Sequence, residues 1–136
     1  MSTLAIPGAA RKRGIFCLIA LLLISLAAAV DARPSNKWRL QFSGGADSDG
    51  VITIKIIPKE GEPFVTETAI KAGTGENKVA KTVVKSLKAQ LPKKRFHVER
   101  DDGEDVLIKR KWGEPYFDVE IVSITVKGVR INPDRE

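Results

Sequence analysis

TGENKVAKTVVKSLKAQLP, residues 74–92, decides the fold. Val79, Val83, Leu87 and Leu91 recur every four residues, with Ala80 and Val84 beside them. That spacing predicts one amphipathic helix with a single apolar stripe. Lys78, Lys81, Lys85 and Lys88 fall largely off the stripe, so one face wants a sheet and the other is basic. Thr74 is the expected N-cap, and Glu76 complements the positive end of the helix dipole. Pro92 ends the helix, because its ring disfavours helical geometry at Leu91.

On either side of the helix the period changes from four to two. Upstream, WRLQFS (38–43) sets Trp38, Leu40 and Phe42 against Arg39, Gln41 and Ser43, and VITIKII (51–57) turns Ile52, Ile54 and Ile56 inward. FVTETAIKA (64–72) is a third strand leading into the helix. Downstream, RFHVER (95–100) and VLIKRKW (106–112) flank an Asp101-Asp102-Gly103 turn suited to a hairpin. YFDVEIVSITVKGVRI (116–131) is one long strand or two, and its apolar parity slips by one residue near Val122 or Ser123, which predicts a bulge there. Residues 33–37 and 132–136 are expected to be loose. The order β-β-β-α-β-β-β predicts an α+β domain: one antiparallel sheet of about 5–7 strands with a single amphipathic helix packed on one face.

The N-terminus carries a different pattern. Arg11, Lys12 and Arg13 precede an uncharged run from Ile15 to Val30. A basic region followed by a short apolar run predicts a signal peptide over residues 1–32, cleaved after Ala32. At 16 residues the run falls short of the roughly 20 a spanning helix needs. The expected location is therefore secreted or periplasmic, with an uncleaved anchor as the competing reading. The lone cysteine, Cys17, would leave with the signal, so the mature domain 33–136 must be held by its core. The whole chain carries +6; setting aside Arg11, Lys12, Arg13 and Asp31 takes 23 basic and 17 acidic residues to 20 and 16, a net +4. This modest excess suits an anionic partner and suits solubility equally.

The segment 68–122 resembles a β-α-β-β module of phage tail and other virion structural proteins and of some large secreted bacterial proteins. The shared features are a strand ending in Ala72-Gly73, Val79-Ala80 in the helix, Phe96-x-Val98, the Asp-Gly turn, Val106-x-Ile108 and Phe117-x-Val119. The resemblance implies a non-catalytic packing or adhesion module and transfers no functional residue.

Groups that could carry chemistry are few. His97 is the only histidine and sits on the outward parity of its strand. No Cys/His set suits zinc, and no serine lies in a Gly-x-Ser-x-Gly turn. Asp47-Ser48-Asp49-Gly50 puts wrong residues at the first and last positions of a calcium loop. Asp101, Asp102, Glu104 and Asp105 read as a solvated hairpin tip rather than a cation site. Gly73-Thr74-Gly75 lacks the P-loop and Rossmann spacings. No enzyme activity, cofactor or metal is expected.

The basic residues are the functional hint. Lys78, Lys81, Lys85, Lys88, Lys93, Lys94 and Arg95 form the candidate anion-binding surface. Lys109, Arg110 and Lys111 are split between two strand faces by alternation. The expected function is an exported, small, non-enzymatic binding or structural module acting through surface contacts. One alternative is polyanion binding (acidic glycan, lipopolysaccharide or DNA) through the basic helix face; another is a protein inhibitor or immunity-type partner. The expected partner is an unidentified protein or an anionic polymer. A membrane enters only through a retained N-terminal segment, and self-association only through an edge strand.

Overall fold

The computed structural model describes residues 34–136, so the expected signal peptide over 1–32 lies outside the described residues. Arg33–Glu136 is a compact unit with a hydrophobic core of its own, and so folds independently of what precedes it. Its elements are β1 Lys37–Ser43, β2 Gly50–Pro58, β3 Phe64–Ile70, α1 Glu76–Gln90, β4 Phe96–Asp101, β5 Asp105–Arg110, β6 Phe117–Ile124 and β7 Arg130–Arg135. The fold is α+β, and every strand pairing is antiparallel. The strands divide between two sheets rather than one: β4-β5-β1-β7 and β3-β2-β6. The division falls at residues 44–49, which do not close a hairpin between β1 and β2. They carry the chain from one sheet to the other.

The period-two patterns bury the residues they mark. Trp38, Leu40 and Phe42 point into the core from β1, and Ile52, Ile54 and Ile56 from β2. In the first sheet Ile108 faces Trp38 on one side and Val98 on the other, a continuous apolar row across three strands. The predicted bulge is at Val122: Thr53 pairs with Ser123 and Ile54 with Ile121, which leaves Val122 as the extra residue. The bulge restores inward parity after the slip, as a one-residue insertion must.

Two connections make the sheets one body. At one edge, Ser35 bridges Phe117 at the start of β6. The Phe117 carbonyl accepts from Ser35 N–H at 2.8 Å and from Trp38 Nε1–H at 2.9 Å. The Phe117 ring is 0% exposed and meets Phe96 edge-on at 5.3 Å, and Phe96 meets Phe64 edge-on at 5.7 Å. At the other edge, α1 packs against β3 and β4 and reaches β1 and β5 beneath them. It buries Val79, Ala80, Val83, Val84 and Leu87, the stripe read from the sequence. Towards β3 the helix covers the strand edge with side chains. Gln90 Oε1 accepts from Glu67 N–H at 2.9 Å, Gln90 Nε2 donates to the Glu67 carbonyl at 2.8 Å, and Thr68 donates to Ser86 Oγ at 2.7 Å. A side-chain amide here takes the place of another strand.

Several local expectations are corrected. The helix starts at Glu76 after Gly75, with no side-chain cap; the Thr74 hydroxyl donates back to the Lys71 carbonyl instead. Residues 33–37 are not loose, since Ser35 pairs with Phe117 and Lys37 begins β1. Residues 132–136 are not a tail either. They lie within or next to β7, which pairs with β1 from Ser43↔Arg130 to Trp38↔Arg135. Pro133 is tolerated there because β7 is an edge strand. The 44–50 connector is a clasp. Ala46 N–H donates to the Thr74 carbonyl and Asp47 N–H to that of Lys127, both at 2.8 Å. Gly128, at φ +88, backs onto this loop so closely that a Cβ would stand 2.4 Å from Asp47 Oδ2.

The outer face of the four-stranded sheet carries the ion pairs. Arg39 holds Asp101, Asp105 and Glu136; Lys37 also holds Glu136; Glu99 holds Lys109 and His97. Hydrogen bonds from Lys37 and then Arg39 lower the Glu136 pKa below the usual glutamate value, and hydrogen bonds from Lys109 and then His97 lower that of Glu99. A depressed carboxylate contributes stability above its unfolded pKa and loses it as the pH falls through the folded value. Urea midpoints of Arg33–Glu136 should therefore hold from pH 7 to about 5 and drop below about 4.3, the unfolded glutamate pKa. Glu99→Gln with Glu136→Gln should flatten that acid limb. Equilibrium unfolding should also show Phe117→Ala costing about 3–5 kcal/mol and Trp38→Phe about 1 kcal/mol, the net worth of its hydrogen bond.

Candidate anion-binding groove

The helix covers β3 with polar side chains but not β4. Between the second half of α1 and β4 lies an open groove of about 460 Å³. Three segments build it. Lys85, Lys88 and Ala89 come from the helix, Lys93 from the turn that follows Pro92, and His97 and Lys111 from the β4–β5 hairpin. The floor is Leu87, Leu91, Phe96 and Val98, all buried.

Each lysine arrives for a local reason. Lys85 and Lys88 are three apart and share a helix face. The helix stops at Leu91, whose ψ of 145° is the extended geometry a following proline imposes. The chain then turns, with Arg95 and Phe96 N–H both donating to the Pro92 carbonyl, and this sets Lys93 at the groove's end. Lys111 follows the last residue of β5 and is tied to the start of the hairpin, its N–H donating to the Arg95 carbonyl at 2.8 Å. Among the described residues none of these four lysines has a carboxylate within ion-pair distance. The His97 ring sits 3.1 Å from Glu99 Oε2, its one side-chain hydrogen-bond partner among the described residues.

The structure thus gathers Lys85, Lys88 and Lys93 of the residues singled out from sequence, and adds Lys111 and His97. It separates the others. Lys78 lines a hollow at the opposite end of the helix with Gly75, Glu76 and Asn77. Lys81 and Lys94 are exposed but do not line the groove. Arg95 is committed elsewhere: its Nε bonds Glu114 at 2.7 Å and its guanidinium lies over the Phe64 and Phe96 rings at 5.1 and 5.8 Å. Lys111 was legible in principle, because hairpin pairing followed outward from the Asp-Gly turn sets it opposite Arg95.

Several of the other candidate groups have structural partners. Asp101 and Asp105 bind Arg39. Asp49 accepts from Ala72 N–H and Ser48 from Lys127 N–H. At the helix N-terminus Glu76 supplies the anion itself, its carboxylate accepting from Gly44 N–H at 2.7 Å. Among the described residues no group of His, Cys, Asp or Glu could hold a metal ion, and no helix is long and apolar enough to cross a membrane.

What the groove can do chemically is bind negative charge. Four mobile ammonium groups surround a shallow apolar floor, and each can turn to a different oxygen on an elongated ligand. Comparison with protein-family models gives no match, and comparison with curated proteins gives none either.

Proposed function

We propose that Arg33–Glu136 is an exported, non-enzymatic binding module that takes a segment of an anionic polymer (an acidic glycan, lipopolysaccharide or DNA) into the groove between α1 and β4. The observation that carries this reading is the convergence of Lys85, Lys88, Lys93 and Lys111 from three separate segments onto one groove without carboxylate partners among the described residues. On the same hairpin Lys109 pairs with Glu99, and beside it Arg95 pairs with Glu114. Leaving four together without acids costs like-charge repulsion, which an anionic ligand relieves.

The test separates the groove from net charge. Retention of Arg33–Glu136 on a sulfated or phosphorylated polymer column is measured across a salt series. One variant carries Lys85, Lys88, Lys93 and Lys111 changed to Gln; a control of equal charge carries Lys59, Lys71, Lys78 and Lys127 changed to Gln. The groove variant should lose about one unit of log–log salt slope per lysine, while the control stays near the native slope. Equal losses in the two would show that the overall charge does the binding and would refute the groove.

A further inference from the structure

We infer that the turn after β5 is a docking tip for an anionic lipid surface, with Trp112 as the side chain that enters the headgroup region. Trp112 is 99% exposed, far more than any other large apolar residue among those described. It does not hang on a loose loop. Lys111 to Glu114 form a tight turn closed by Glu114 N–H to the Lys111 carbonyl at 3.1 Å, and Gly113 at φ +85 supplies the left-handed position such a turn needs after Trp112. Three further bonds brace the turn. Arg110 Nη1 donates to the Glu114 carbonyl at 3.0 Å, Arg95 Nε to the Glu114 carboxylate at 2.7 Å, and Lys111 N–H to the Arg95 carbonyl at 2.8 Å. The braced turn thus holds the indole exposed in a fixed position.

The chemistry around the indole selects that surface. Tyr116 follows at 48% exposed, with the Arg110 guanidinium 4.8 Å above its ring. Tryptophan and tyrosine flanked by cations are the residues that settle at a bilayer's interface, rings among the headgroups and charges on the phosphates. Lys111 adjoins Trp112, and Lys93 and Lys94 lie on the turn bonded beside it. The neighbouring carboxylates are already paired with cations, Glu114 with Arg95 and Glu99 with Lys109. The tip therefore presents positive charge around an aromatic pair, complementary to an acidic bilayer. Apart from sharing Lys93 and Lys111 the tip does not rest on the groove.

The experiment uses Arg33–Glu136 with vesicles of phosphatidylglycerol and phosphatidylcholine, and with phosphatidylcholine alone. Trp38 is buried and hydrogen-bonded, so a change in tryptophan emission on binding reports Trp112. Acidic vesicles should shift the emission to the blue and brominated lipid should quench it; neutral vesicles should do neither. Trp112→Ala, a change at a fully exposed site, should lower partition onto acidic vesicles about tenfold through lost interfacial burial. Its retention on the polymer column should not change. Lys85→Gln with Lys88→Gln should do the reverse. Emission unmoved by acidic vesicles, or Trp112→Ala partitioning like the native protein, would overturn the inference while leaving the groove intact. A blue shift on raising protein concentration without lipid would assign the tip to a second copy of the chain and overturn it as well.

Discussion

The Phe117 carbonyl is the point on which the two sheets depend. A buried carbonyl oxygen has two lone pairs, and here both are used by the other sheet, one by Ser35 N–H and one by the Trp38 indole. The Phe117 amide also donates to the Ser35 carbonyl, and its ring meets Phe96 from β4. One residue thus joins β6 to β1 through its backbone and to β4 through its side chain. Without it, each sheet would keep its own ladder hydrogen bonds but lose the alignment that lets the two inner faces share a core.

Fixing that seam determines where the helix must go. The sheets meet along β1, β6 and β7, so β3 and β4 are left as free edges on the far side. An apolar stripe five residues deep fills the gap between them. The helix treats its two neighbours differently for a reason present in its sequence. Ser86 and Gln90 face β3 and satisfy its backbone; Lys85 and Lys88 face β4, and a lysine has no acceptor to offer a strand N–H. The groove is what remains where the helix does not close against the second edge.

The helix and most strands were legible because their burial patterns are local: valines and leucines four apart, isoleucines two apart. The bulge at Val122 was legible for the same reason, since a parity slip has no other economical explanation. The split into two sheets was not legible. Alternation records which face of a strand is buried without naming its partner, and β1 pairs with β5 and β7 rather than with β2, its neighbour in sequence. The segment NPDRE (132–136) reads as a tail because it holds Pro, Asn and three charges, yet β1 offers it an open edge and Glu136 meets both Arg39 and Lys37. The basic surface was half legible. Helical spacing put Lys85 and Lys88 together, but Arg95 looked like a further free cation until Glu114 and two phenyl rings claimed it.

That last distinction matters more than the net charge. The outer face of the four-stranded sheet is as rich in cations as the groove, yet Lys37, Arg39 and Lys109 each have a carboxylate across the strand. Their charge contributes to strand pairing and is largely cancelled as seen from solution. Among the described residues the groove lysines and those beside Trp112 have no such partners, so their field extends outward to about a Debye length, roughly 8 Å at physiological salt. Residues 33–136 carry a net excess of only four positive charges, yet the groove alone gathers four lysines with no carboxylate at ion-pair distance among the described residues. Binding by such a groove would respond to which lysines are removed rather than to how many.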